Sequence, residues 1–245
     1  MPEGPSIIIL KEAVQSFTSQ KVLKAEGNSK KLDYDHLNSA RIIDFKSWGK
    51  HFLICFKDFT LRIHFLLFGS YSINEYKDVI PRLSLKFSKG RSLNFYACAI
   101  SIIEQPLDEV YDWTNDVMND RWDEKKAMQK LKNKPDALVC DVLLDQQIFS
   151  GVGNIIKNEV LFRIRVHPKS QVGKIPLVKR KRMVKEVVHY SFQFLEWKKK
   201  FTLKEHWLAH TKKVCPRDHI FFVKEYLGVT NRRTFYCRMC QKLYL

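Results

Sequence analysis

The sequence predicts a mixed α+β chain: a leading helix, an antiparallel β-sandwich or barrel, a helical region and a small metal-held hairpin. Three observations predict it. Apolar residues recur at helical spacing up to Phe17, and short alternating apolar runs fill residues 20 to 105. Four soft or borderline metal-type side chains stand in two close pairs near the C-terminus.

The elements follow in order. Over residues 6–17, Ile7, Leu10, Val14 and Phe17 share one helical face, and Pro5 suits a first turn. Phe59, Leu61, Ile63 and Phe65 then alternate with Thr60, Arg62 and His64, as Leu83, Leu85 and Phe87 do with Arg82, Ser84 and Lys86. Leu93, Phe95, Ala97 and Ala99 continue the period, and Lys57-Asp58 suits a hairpin turn. Pro106 closes this region, giving an N-terminal domain over 1–107. Residues 108–120 are acidic and turn-rich and read as a linker. Residues 121–205 read as helical. Leu138, Val139, Val142 and Leu143 mark one short helix, and Ile155, Ile156, Val160 and Leu161 a second. Val184, Val187, Val188, Phe192 and Leu195 line a longer third helix. Residues 206–245 form a tail too small for a core of its own. No repeat or low-complexity tract is seen.

The chain has 245 residues, with 43 Lys+Arg against 26 Asp+Glu, a net charge of +17. That surplus points to a polyanion, nucleic acid first and an anionic membrane second. A membrane surface would call for one strongly basic amphipathic helix, whereas these cations are spread along the chain. The apolar share of 45% excludes general disorder. No apolar run reaches the roughly 18 residues of a spanning helix, and no secretory leader is visible. A soluble, intracellular monomer is expected, cytoplasmic (nucleoid) or nuclear. Cys55, Cys98 and Cys140 lie in apolar surroundings and read as buried thiols, not as a disulfide framework.

The most specific pattern is Cys215-x3-His219-x17-Cys237-x2-Cys240. Two close ligand pairs one loop apart suit one structural, tetrahedral Zn²⁺, which would stabilise the small tail. Gly151-Val152-Gly153-Asn154 joins two helices; it suits either tight packing or a phosphate held at the second helix's N-terminus. Removal of Met1 would leave Pro2 with a secondary amine. Such an amine is partly neutral near pH 7.7–8.0 and can attack a sugar carbon. Glu3 beside it is a candidate acid or base, and Lys50 follows Trp48-Gly49 at the start of a strand. Taken alone, this pattern also fits an ordinary N-terminus.

Four blocks in order resemble the formamidopyrimidine-DNA glycosylase/endonuclease VIII family: Met1-Pro2-Glu3-Gly4-Pro5; Gly49-Lys50-His51; Gly151-Val152-Gly153-Asn154 with Asn158-Glu159; and Arg232-x4-Cys237-x2-Cys240-Gln241. Within it the chain resembles the branch known in vertebrates as Nei-like protein 2. The residues are Ser29-Lys30-Lys31-Leu32, Leu67-Phe68-Gly69-Ser70, Phe95-Tyr96-Ala97-Cys98, Leu143-Leu144-Asp145-Gln146-Gln147 and the run from Phe149 to Glu159. That branch also has a Cys-His-Cys-Cys finger, but its vertebrate members carry a long N-terminal-domain insertion that is absent here.

The resemblance implies an N-terminal catalytic β-sandwich, a helix–two-turn–helix domain and a β-hairpin zinc finger. It implies a bifunctional glycosylase/AP lyase of base excision repair, acting on DNA with oxidised bases or abasic sites. Pro2 would be the nucleophile, Glu3 the proton donor in ring opening, and Lys50 the acid–base of β-elimination and a phosphate contact. Asn154 would bind phosphate, as would Arg232, which would also assist δ-elimination. Leu66, Leu67 and Phe68 would fill the hole left by the extruded nucleotide; by alternation alone they read equally as core. Ser6 stands where many relatives have Glu. The wedge differs from that of the guanine-lesion branch, so oxidised pyrimidines, with a leaning to single-stranded or bubble DNA, are the expected substrates. Two other classes are a DNA-binding module without chemistry and a nuclease using Mg²⁺. The latter would need a carboxylate cluster, and the acidic stretch at 108–124 lies in the expected linker.

Overall fold

Pro5 opens helix α1 (Gly4–Ala13), where its missing N–H costs nothing. A 3-10 turn at Gln15–Phe17 follows, so the expected helix over 6–17 is two pieces. Its apolar face holds: Ile7, Leu10, Val14 and Phe17 are all buried. These relations come from a computed structural model that describes every residue except Met1 and Lys31, so those two motif positions lie outside the described residues. The chain divides into two compact units, residues 1–111 and 112–245.

The first unit holds one antiparallel sheet of six strands: β1 (Lys24–Glu26), β2 (Asp44–Trp48), β3 (His51–Cys55), β4 (Thr60–Ile73), β5 (Leu83–Lys86) and β6 (Ser92–Ile103). Their order is β1-β5-β6-β4-β3-β2. A short helix α2 (Tyr34–Leu37) is capped by Asp33, whose carboxylate accepts from the amides of Asp35 and His36. The long strands β4 and β6 make the sheet a sandwich. Residues 60–65 of β4 pair with 98–103 of β6, and 70–73 pair with 93–96, with a register break between Phe65 and Ser70. Ala97 opposite has φ 47°, which marks the corner in β6. The two halves enclose one core, with the Phe52 and Phe95 rings 6.0 Å apart across it. Each such ring contributes about 1.5–3 kcal/mol by burial.

The second unit is helical, with a terminal hairpin. Helix α3 (Leu107–Val110) closes the first unit. In the stretch read as a linker, Tyr111, Trp113, Asn115, Asp116 and Val117 are buried. Then come α4 (Glu124–Lys132), capped by Asp123, α5 (Val139–Val142), α6 (Asn154–Arg163) and α7 (Leu177–Lys199). Along α7, Met183, Val184, Val187, Tyr190, Phe194 and Leu195 are buried. Phe192, expected on that face, is 47% exposed: it lies one turn beyond half-buried Val188 on a flanking stripe. Strands β7 (Val223–Leu227) and β8 (Arg232–Tyr236) form the hairpin. Among the described residues no helix is long and apolar enough to cross a membrane.

Candidate active site and nucleic-acid interface

In the first unit the residues expected to be catalytic lie at the head of α1 and at one hairpin turn. Pro2 is partly exposed, and Glu3, the N-cap of α1, is fully buried. The N-cap position lies at the positive end of the helix dipole, although the Glu3 side chain makes no cap hydrogen bond there. Ser6 donates its amide to the Glu3 carbonyl at 2.8 Å, so its place in the first turn is a backbone role. Lys50 belongs to a two-residue turn between Trp48 and His51, at the entry to β3. Gly49 has φ 52° there, which a side-chain-bearing residue rarely adopts, and this fixes the turn that presents Lys50.

Sequence reasoning missed the residues around Lys50. His51 faces His64 across the β3–β4 register, with ring centroids 5.4 Å apart, and His51 Nδ1 lies 3.1 Å from the Tyr111 hydroxyl. Burial, then the neighbouring His64, Arg62 and Lys50, lowers the His51 pKa to about 3. Burial likewise lowers that of His64. Both rings are therefore neutral near pH 7 and stand beside Lys50. The signal was present: Arg62 and His64 occupy the polar phase of an alternating strand.

Leu66, Leu67 and Phe68 are 51%, 51% and 87% exposed. The break in β4 interrupts the alternation that would have sent Leu67 inward after buried Phe65. Gly69 permits this, since a Cβ there would lie 2.8 Å from the Phe65 Cα.

In the second unit, Gln146 stitches the glycine turn. Its Nε2 donates to the carbonyls of Leu144 (2.8 Å) and Val152 (3.1 Å), and its Oε1 accepts from the Gly151 amide (3.1 Å). Gly151 has φ 97°. Gly153 is the N-cap of α6. Asn154 starts the helix and donates Nδ2 to the Arg233 carbonyl at 2.8 Å. An amide nitrogen has two N–H groups, so one more is available to a ligand. Asn158 and Glu159 of the motif are buried and structural. The Asn158 Oδ1 accepts from the Phe235 amide at 3.2 Å. Glu159 accepts from the amides of Leu208, Ala209 and His210 at 2.8–3.1 Å. Arg232 and Arg233 open β8, and the Arg233 guanidinium is engaged with Tyr226, 3.2 Å from its hydroxyl.

The finger brings together Cys215, Cys237 and Cys240 with the Asp218 carboxylate, their ligand atoms all within 4.8 Å of one another. The Asp218 Oδ2 lies 3.1 Å from the Cys237 Sγ and 3.4 Å from that of Cys215. His219, expected as fourth ligand from the spacing, is not in the cluster. It is exposed and has φ 56°, so the turn presents the preceding side chain inward. Three thiols with an oxygen or imidazole donor suit Zn²⁺. Gln241 braces the site: its Oε1 accepts from the Cys237 amide and its Nε2 donates to the Val166 carbonyl, both at 2.9 Å. Cys55, Cys98 and Cys140 are buried, and burial pushes the Cys98 and Cys140 thiols up to about 11, which leaves them unreactive.

Comparison with known proteins places this architecture. Residues 114–201 match the formamidopyrimidine-DNA glycosylase H2TH domain. Mouse endonuclease 8-like 2 is 29% identical across 98% of this chain and 96% of its own length. The human protein is 34% identical across 74% of this chain and 57% of its own. Bovine endonuclease 8-like 3 is 28% identical across 89% of this chain and 38% of its own. The fold is shared with a viral DNA glycosylase, at 20% identity and TM-score 0.85, over 98% of this chain and 100% of that one. It is shared too with Lactococcus lactis formamidopyrimidine DNA glycosylase bound to DNA containing an AP site, at 18% identity and TM-score 0.85, over 98% and 99%. Fold, helical turn and finger are those of a DNA glycosylase, and the chain belongs to the formamidopyrimidine-DNA glycosylase/endonuclease VIII family. Within that family it stands with the endonuclease 8-like 2 and 3 proteins.

Proposed function

We propose that this chain is a bifunctional DNA glycosylase/AP lyase of base excision repair that excises oxidised bases, mainly pyrimidines, and leans towards single-stranded or bubble DNA. One observation carries the reading. A Met-Pro N-terminus leads directly into a buried Glu3 at the head of α1, in a unit that also presents Lys50 on a rigid turn.

With Met1 removed, the neutral Pro2 amine attacks C1′ of the damaged nucleotide as the bond from C1′ to the base breaks, and the proton lost by the proline nitrogen leaves with the base. The nitrogen lone pair then forms an iminium as the sugar ring opens, and Glu3 supplies the proton to the ring oxygen. Lys50 removes the C2′ proton, and the 3′ phosphate departs by β-elimination. A second elimination, with loss of the C4′ proton to solvent, releases the 5′ phosphate, with Arg232 binding its charge, and water then hydrolyses the iminium to free Pro2 and the unsaturated sugar fragment. The product is a one-nucleotide gap with phosphates at both ends. Asn154 and the N-terminus of α6 hold a neighbouring phosphate. Leu66, Leu67 and Phe68 fill the vacated stack, a role supported by their exposure at the β4 bulge. Cys215, Cys237 and Cys240 would hold a structural Zn²⁺, with a fourth donor from Asp218 or from His219 after a turn rearrangement. The metal's part is to keep the hairpin folded. On this reading the protein works as a monomer on nucleoid or nuclear DNA.

Borohydride trapping tests the chemistry. Purified protein is mixed with an oligonucleotide carrying an abasic site or an oxidised pyrimidine, without magnesium, and reduced. A covalent adduct mapping to residue 2, absent in Pro2→Gly, is expected, with nicking reduced in Lys50→Ala. A free N-terminal proline that binds tightly yet gives no adduct would establish the non-catalytic DNA-binding module instead. Cleavage that requires magnesium and forms no adduct would point to a phosphoryl-transfer nuclease.

A further inference from the structure

Arg232 is the finger residue assigned to a phosphate, yet its own strand is short and ends an exposed turn. What holds it lies in α6. Lys157 of α6 is fully buried, and its ammonium donates to the Thr234 Oγ1 at 2.8 Å. The Thr234 hydroxyl, 1% exposed, in turn donates to the Arg232 carbonyl at 3.0 Å. One residue along, the Arg233 carbonyl accepts from Asn154 at 2.8 Å and from Asn158 at 3.4 Å. Both carbonyls at the start of β8 are thus held from one helix. A buried ammonium is costly to desolvate, and an alkyl side chain would pack as well. The charge polarises the hydroxyl and strengthens its bond to the Arg232 carbonyl.

We propose that Lys157 and Thr234 form a positioning relay that sets the Arg232 backbone, and through it the guanidinium, for its phosphate. Neither residue touches substrate. The proposal rests on the assignment of Arg232 to a phosphate and to the second elimination. It adds that the phosphate grip of the finger is fixed from within the helix that carries Asn154.

Thr234→Val is the informative variant, because it removes the relay hydroxyl without changing charge. The readouts are the salt dependence of binding to a duplex with a tetrahydrofuran abasic analogue, and the ratio of δ- to β-elimination products on an abasic site. Loss of one phosphate contact lowers the salt slope by about one, so Thr234→Val is expected to match Arg232→Ala in slope. Its δ:β ratio is expected to fall roughly tenfold, as for a misplaced catalytic group, with Lys157→Met behaving alike. Thr234→Ser is expected to restore both. In an Arg232→Ala background Thr234→Val is expected to add nothing. Effects that add in the double variant, or a wild-type slope and ratio in a folded Thr234→Val, would overturn the relay. Should Thr234→Val fail to fold, Lys157→Met and Thr234→Ser carry the same comparison. A wild-type protein that neither traps nor nicks would remove the lyase reading, while the slope comparison would still judge the relay.

Discussion

His210 shows how one side chain ties stability to pH. Its Nδ1 lies 3.1 Å from the Asn158 Nδ2, and its ring packs against Trp207 and Phe235. Burial, then the nearby Lys157 and Arg233 cations, lowers its pKa to about 4. The folded protein therefore refuses a proton that the unfolded chain accepts below its ordinary value of about 6.5. Stability is intact above pH 6.5, falls as the pH drops from there towards 4, and levels off below. His210→Gln keeps an acceptor and removes the titration. It is expected to flatten the pH dependence by about 2 kcal/mol, after allowance for partial solvent screening, between pH 7 and 4. Chemical denaturation at several pH values with zinc in excess checks this; an unchanged profile would refute it. At this scale the sequence was legible where a residue type is scarce and positional. Pro2, Glu3 and Lys50 stood out only through the family resemblance, whereas the three clustered cysteines could be named from their spacing. Lys157, Thr234 and Asp218 could not, because their work depends on partners up to 77 residues distant, and a lysine between two isoleucines and an asparagine carries no local sign of burial.

Among the elements, the β4 bulge decides most. Alternation located the strand and its core residues Leu61, Ile63 and Phe65, and all three are buried. It did not locate the point where the period breaks, because a bulge depends on the opposing strand as well as its own. Gly69 was the local clue: any Cβ would press on Phe65 and on the Ala97 carbonyl, 3.0 Å away. The bulge turns three apolar side chains outward, which suits them for insertion into a base stack. Phe68→Ala is therefore expected to slow excision from duplex DNA roughly tenfold while leaving single-stranded abasic cleavage nearly unchanged. The few kcal/mol of unstacking arise only in the duplex. Paired single-turnover assays measure the difference; equal losses on both substrates would show that the side chain serves packing alone.

For the molecule as a whole, the finger is integral to the second unit. Its turn is held by Asp141 of α5, its strand by α6, and its Cys237–Gln241 corner by Val166. A metal bound there stabilises contacts well beyond the hairpin. Cys237→Ala is expected to lose bound zinc, by elemental analysis, and to weaken DNA binding at least tenfold, since the hairpin carries Arg232, proposed above to bind a phosphate. Unchanged zinc content and affinity would defeat the metal assignment. Broad architecture was legible because periodicity and the cysteine spacing are properties of contiguous chain. The docking of the finger was not, because each of its anchors joins distant segments.

Asp141 and Gly228 give that docking a heritable form. The Asp141 carboxylate accepts the Val229 amide at 3.0 Å, across 88 residues of chain. It so crowds the turn that any Cβ on Gly228, whose φ of 74° already disfavours one, would collide with its oxygens. Neither position is then free to drift alone. Where descent has replaced the glycine, the acid should have shortened or gone as well, and the two sites should be inherited as one character.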